Sequence, residues 1–147
     1  MKSSAIKFLT AFFLLIGISS NAQESIISKS ELPKVAQKFI SDNFSKNTLE
    51  YVKMDKETFS TDYKVKFSDG AEIEFDSKGE WTEVDGNKTP IPTEFIQKSI
   101  RNYVKNKFPN TQIVKIEKGR FGKQEVKLSN GLELEFNSNG EFKRIDD

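Results

Sequence analysis

The sequence predicts an α+β fold of two tandem repeats, each a helix followed by a four-stranded antiparallel meander, with the helices packed on one face of the sheet. Three observations carry this. First, the run from Tyr63 to Trp81 (Tyr-Lys-Val-Lys-Phe-Ser-Asp-Gly at its head) returns as the run from Gln124 to Phe142, so that Gly70 and Gly79 reappear 61 residues later as Gly131 and Gly140. Second, apolar and polar residues alternate inside both runs, the period of a half-buried strand. Third, each run is preceded by apolar residues at spacings of one, three and four, the stripe of an amphipathic helix.

Residues 1–22 read as a secretory signal peptide. Lys2 and Lys7, with no acid among them, precede an almost unbroken apolar run from Phe8 to Ile18. Ser20-Asn21-Ala22 then puts small residues at both positions a signal peptidase reads, and cleavage is expected between Ala22 and Gln23. The apolar run is too short to cross about 30 Å of hydrocarbon, and no cysteine lies nearby to carry a lipid. The mature chain is therefore expected to be periplasmic or secreted and free of the membrane. The leader holds two of the 23 bases and none of the 22 acids, which leaves the mature chain with one net negative charge. That balance offers nothing general to nucleic acid or to an anionic membrane. The remaining length suffices for one cored domain without disulfides, and no cysteine is present to form any.

Residues 23–30 are polar and are expected to be flexible. Repeat 1 occupies 31–86. Leu32-Pro33 opens its helix, since proline suits the first helical position, and Val35, Ala36, Phe39, Ile40 and Phe44 form the stripe. Strands are expected over Leu49 to Asp55, Asp62 to Ser68, Ala71 to Asp76 and Glu80 to Asp85. The turn-rich linker Gly86 to Pro90 leads into repeat 2, over 87–147. Its helix is expected to start near Thr93, a turn longer than the first, with the stripe Ile96, Ile100, Tyr103, Val104 and Phe108, and to stop where Phe108 meets Pro109. Its strands are Ile113 to Glu117, Lys123 to Ser129, Leu132 to Asn137 and Glu141 to Asp146. Val114-Lys115-Ile116 aligns with Val52-Lys53-Met54.

Hairpin register follows from keeping faces consistent. A two-residue loop at Asp69-Gly70 would pair Lys66 with Ile73 and bury charge. A three-residue loop, Ser68-Asp69-Gly70, pairs Val65 with Ile73, Tyr63 with Phe75, Lys66 with Glu72 and Lys64 with Glu74, so that like faces and opposite charges meet. Gly70 and Gly131 then take the left-handed third position. The next hairpins bring Phe75 to Trp81 and Phe136 to Phe142. Val84 and Ile145 lie three residues on, not two, which predicts a bulge or a strand end. Val65, Phe67, Ile73, Phe75 and Trp81 share the face under the helices.

The series Leu-Pro, amphipathic helix, strand, then Tyr63-Lys64-Val65-Lys66-Phe67-Ser68-Asp69-Gly70, Ile73-Glu74-Phe75-Asp76, Gly79-Glu80-Trp81 and Val84-Asp85, in tandem, resembles the PepSY-like, beta-lactamase-inhibitor-like family of exported bacterial proteins. The resemblance spans residues 31–147. The second copy departs from the pattern with Asn130, Asn137 and Phe142 where the first has Asp69, Asp76 and Trp81. The resemblance implies a small periplasmic protein with a fold like that of a protein inhibitor of beta-lactamases and of peptidase-associated PepSY modules. The matching motifs are structural and carry no activity with them.

With no histidine and no cysteine, Ser-His-Asp and Cys-His catalysis, the common zinc sites and thiol redox chemistry are all excluded. Glu72/Glu74 and Glu133/Glu135 alternate on strands and point in pairs to one face, where lysines are expected opposite them. That pattern reads as a solvated charged face and not as an acid/base pair. The expected function is thus a non-catalytic periplasmic binding module, without cofactor, that recognises a protein or peptide through the sheet face or hairpin loops; a peptidase-interacting or inhibitor-like role is one special case. Tyr51, out of phase in its strand, and Phe59, in a loop, are the candidate contacts. Trp81, the one tryptophan, pairs with Phe75 and reads as core. The alternative is a calcium- or small-ligand-responsive protein. Asp69, Asp76 and Asp85 lie at turns where oxygen ligands could gather, although no twelve-residue loop with acids at alternate positions is present and turn-forming aspartate is the ordinary role.

Overall fold

The structure is a computed structural model that describes residues 23–146. The expected signal peptide, with Ala22, lies outside the described residues. The elements are β1 (Gln23–Ile27), α1 (Lys34–Asn43), β2 (Leu49–Lys56), β3 (Thr61–Phe67), β4 (Glu72–Phe75), β5 (Trp81–Asp85), α2 (Lys98–Lys107), β6 (Ile113–Lys118), β7 (Gln124–Leu128), β8 (Glu133–Phe136) and β9 (Phe142–Asp146). All nine strands join one antiparallel sheet in chain order. β5 pairs with β6, Val84 opposite Ile116, so a continuous ladder crosses the middle of the chain.

Hairpin registers match the three-residue loops. Val65 faces Ile73, Tyr63 faces Phe75, Lys66 faces Glu72 and Lys64 faces Glu74; Val126 faces Leu134 in the second half. Gly70 and Gly131 have φ of 92° and 91°, the left-handed backbone that the third loop position requires. The expected irregularity after Trp81 and Phe142 is a bulge in both halves. Phe75 faces Trp81 while Glu74 faces Glu83, which leaves Thr82 extra; Phe136 faces Phe142 while Glu135 faces Arg144, which leaves Lys143 extra.

Four expectations change. Residues 23–30 are not flexible. β1 pairs along its length with β2, Ile27 packs against the core, and the Ser28 amide donates to Glu31 Oε2 at 2.7 Å in a capping box around a 3-10 turn. The sheet therefore holds nine strands, not two sets of four. The second helix is no longer than the first: both have ten residues, and Thr93 to Ile96 form a turn ahead of it, closed by Ile96 N–H to Thr93 O at 3.0 Å. Lastly, Val52 corresponds to Ile116, not Val114, because Val52 faces Val65 and Ile116 faces Val126.

The reason for the last change is a second bulge. Glu50 and Val114 are extra residues in β2 and β6, and each resets the alternation by one. The halves then match from helix through β2/β6 at a spacing of 64 residues and from β3/β7 onward at 61. The β6–β7 turn is thus shorter than the β2–β3 turn. Helix entry obeys the same spacing: Gln37 Nε2 donates to Leu32 O at 2.7 Å, and Arg101 Nε donates to Ile96 O at 3.0 Å. Each side chain ties down a carbonyl just ahead of its helix.

Both helices and the inward residues of the sheet share one core. Ala36 and Ile40 of α1, Ile100 and Val104 of α2, and Val65, Ile73, Phe75, Val84, Ile116, Val126, Leu134 and Phe136 of the strands are buried. Val35, placed on the apolar stripe by its spacing, is 48 % exposed. Phe39 crosses Phe75 edge-on at 5.8 Å and stacks on Trp81 at 6.4 Å. Tyr103 repeats this with Phe136 at 5.5 Å and Phe142 at 4.6 Å. The linker adds Phe95, edge-on to Phe39 at 4.9 Å and to Trp81 at 5.3 Å, which fastens the entry to α2 onto the first half.

Candidate functional site

Alternation along the strands points the remaining side chains away from the core, and the ladder sets them in rows. One row crosses the whole sheet from β1 to β9: Ile26, Lys53, Lys64, Glu74, Glu83, Glu117, Glu125, Glu135, Arg144, each opposite the next. Its centre is five successive glutamates spanning about 19 Å at normal strand spacing. Like charges directly opposite each other weaken a ladder. Lys115 offsets part of this, with Nζ 2.9 Å from Glu83 and 3.8 Å from Glu117. At the flanks, Lys64 lies 2.8 Å from Glu74, and Lys123 and Arg144 lie 2.9 and 3.0 Å from Glu135. Glu125 has no ion pair among the described residues. Over β5 to β7 this row floors a groove of about 570 Å³ with Val114 as an apolar patch and Asn87 and Lys88 at its rim.

The electrostatics differ along the row. Burial, and then repulsion from Glu83, pushes the Glu117 carboxyl above its ordinary value. Burial raises Asp62 likewise, with Asp55, Asp76 and Glu74 adding to it. Glu135 moves the other way: the hydrogen bond from Lys123 outweighs burial, and the Arg144 charge helps hold it low. Glu135 is also buried at 6 % exposure, unlike the solvated carboxylate expected, and faces Glu125 on β7 where a lysine was expected.

The sign for Glu117 follows from linkage. Its folded value is raised, so the folded protein binds more protons than the unfolded chain, and stability rises as pH falls through the folded value. Glu117→Gln should therefore raise the melting temperature at pH 7 by roughly 1–4 °C, and the gain should shrink as pH falls below the ordinary glutamate range. Thermal unfolding of both forms between pH 4 and 8 checks this; a gain independent of pH would mean that charge is not its cause.

A family described as "Putative beta-lactamase-inhibitor-like, PepSY-like" matches residues 19–67 and again residues 61–144. The chain belongs to this PepSY-like family. Three solved structures are similar to it. One, a "putative periplasmic protein" of the DUF2874 family from Bacteroides vulgatus, is 35% identical with a TM-score of 0.80, over 85% of this chain and 98% of its own. Another, a "putative calcium-regulated periplasmic protein" from Bacteroides thetaiotaomicron, is also 35% identical at TM-score 0.80, over 84% and 97%. A third, of unknown function and again from Bacteroides vulgatus, is 38% identical at TM-score 0.78, over 85% and 100%. No curated protein matches the chain. The family description and these relatives name no reaction. Among the described residues, no helix is long and apolar enough to cross a membrane.

In this PepSY-like chain Tyr51 lies on the polar face, opposite Lys66. Its odd phase is the work of the Glu50 bulge. Phe59 sits at the β2–β3 tip and is 98 % exposed. The shorter β6–β7 tip presents Phe121, 94 % exposed and left-handed at φ 59°, which the shifted alignment concealed. Trp81 is core, at 8 % exposure, with Lys118 Nζ 4.0 Å over its ring. The three turn aspartates do not converge. Asp69 and Asp85 lie beyond one end of β4 and Asp76 beyond the other, roughly 14 Å away. Each serves its turn: Asp69 Oδ1 accepts from the Ala71 amide at 3.0 Å, Asp76 Oδ1 from Lys78 and Glu80 at 2.9 Å, and Asp85 Oδ1 from Asn87 at 2.7 Å. Other acids do approach one another. Asp55 faces Asp62, and one Asp55 carboxylate oxygen is buried with no hydrogen-bond partner. Glu125, Glu135 and Asp146 bring carboxylate oxygens within 4.8 Å.

Proposed function

We propose that the protein is a non-catalytic periplasmic binding module that holds a protein or peptide against the polar face of its sheet, the helices occupying the other face. The observation that carries this is the row Glu74, Glu83, Glu117, Glu125 and Glu135. A face that only had to be soluble would be better served by the Lys–Glu alternation of the β3–β4 hairpin, whereas an acidic stripe at the ladder's expense suits a partner that brings cations. Phe59 and Phe121 offer apolar contacts at the sheet's end, and peptidase interaction or inhibition is a special case. Immobilised mature chain should retain a periplasmic partner that Glu117→Gln/Glu125→Gln and Phe59→Ala chains retain at least tenfold less. A partner held equally by all of them would not be using this surface.

A second reading, a calcium-responsive protein, is favoured by the buried, unpartnered Asp55 oxygen beside Asp62 and by the relative described as calcium-regulated. Calcium that binds only the folded chain should raise its melting temperature saturably, and Asp62→Asn should abolish the rise. An unchanged melting temperature at millimolar calcium removes this reading.

A further inference from the structure

β9 holds the same place in the second half that β5 holds in the first. Ile73 faces Val84 and Leu134 faces Ile145; Phe75 faces Trp81 and Phe136 faces Phe142; both strands carry the same one-residue bulge. They differ at the far edge. β5 passes it to β6, whereas β9 has no further neighbour among the described residues. Val84 is accordingly sealed at 0 %, while Ile145, in the same inward place, is 44 % exposed.

What fits this edge can be read from β9 itself. Arg144-Ile145-Asp146 runs cation, aliphatic, acid from N to C. An antiparallel strand of the same composition, centred on Ile145, sets Ile145 against an aliphatic residue, Arg144 against an acid and Asp146 against a cation. The sequence is thus its own complement. We propose that β9 is the interface of a two-fold dimer of this chain, Ile145 meeting Ile145 of a second copy, with Arg144–Asp146 pairs on either side, in the isologous form that a closed two-fold contact requires. Extending a sheet through an exposed edge uses main-chain hydrogen bonds for affinity and alternate side chains for register.

The other edge is unsuited to this. β1 reads Gln-Glu-Ser-Ile-Ile and has a single charge. A second copy's β2, freed of β1, would bring Lys53 opposite Arg144. Charge therefore selects β9 against β9 and stops assembly at two copies, and the short strand with Lys143 at its bulge limits stray pairing. This contact is independent of what the polar face binds.

Sedimentation equilibrium of the mature chain tests it. The wild type should dimerise. Asp146→Arg, which opposes Arg144 with arginine, and Arg144→Glu, which opposes Asp146 with glutamate, should each be monomeric. An equimolar mixture of these two variants should associate at least tenfold more tightly than either alone, since each supplies what the other lacks. Circular dichroism confirms that each variant is folded, and the heterodimer readout guards against losses from the Arg144–Glu135 pair. A wild type that stays monomeric at high concentration, or dimers indifferent to both substitutions, overturns the proposal. Glu117→Gln/Glu125→Gln should dimerise as the wild type does, which separates this contact from the polar face.

Discussion

Replacing Phe75 with alanine should destabilise the protein by about 3–5 kcal/mol, measured by urea unfolding. Phe75 is fully buried on β4, held from both sides by cross-strand neighbours, Tyr63 and Trp81. Phe39 caps it edge-on from α1. Phe39 in turn carries Phe95 and stacks on Trp81. Truncation removes the dispersion and apolar burial of the ring and leaves a cavity between a pinned ladder and a pinned helix, where collapse is poor. A domain of this size has only about 5–15 kcal/mol in total, so the variant should lie near the limit of folding. Phe75→Leu, which keeps most of the volume, should cost far less, about 1.5 kcal/mol or under. A Phe75→Ala loss below that figure would show that the aromatic group of the first half does not anchor the fold.

Gly79→Ala should cost roughly 2–5 kcal/mol, against roughly 1–2 kcal/mol for Gly131→Ala. Both glycines have left-handed backbones, φ 83° and 91°, so both substitutions carry the strain of that conformation. Only at Gly79 does the new methyl also meet the fold: its Cβ would lie 2.7 Å from Pro33 Cβ and 3.0 Å from the Ala36 backbone nitrogen, whereas nothing lies within 4 Å at Gly131. The β4–β5 turn is thus pressed against the start of α1, and the β8–β9 turn is likewise pressed against Gln97 and Ser99 at the start of α2. Paired thermal unfolding measures the difference, and equal losses at Gly79 and Gly131 would show that turn and helix can separate without cost.

These glycines mark how far local reasoning reached. Their left-handed role was legible at Gly70 and Gly131, because a three-residue loop alone keeps Val65 with Ile73 and Lys66 with Glu72. Contact of Gly79 with Pro33 was not, since the two are brought together only by helix packing. The same division runs through the site. Tyr51 and Phe59 were visible as misfits in pattern or loop. Phe121 was hidden because the Glu50 and Val114 bulges each absorb one residue, and an alignment blind to bulges matched Val52 to Val114. β1 had no signal of its own: Gln-Glu-Ser-Ile-Ile is a weak strand until β2 supplies hydrogen bonds and Val52 supplies a place for Ile27.

Periodicity and turn chemistry, which act over a few neighbouring residues, were enough to specify two amphipathic helices, the hairpins with their registers, the repeated layout and the want of groups for nucleophilic catalysis. Lateral order of nine strands was settled by folding alone: the pairing of β5 with β6 joins the halves and aligns Glu74, Glu83, Glu117, Glu125 and Glu135, residues as much as 61 positions apart. Coulomb repulsion between those carboxylates depends on separation in space and not along the chain, so the acidic row could exist only once the sheet had closed around it.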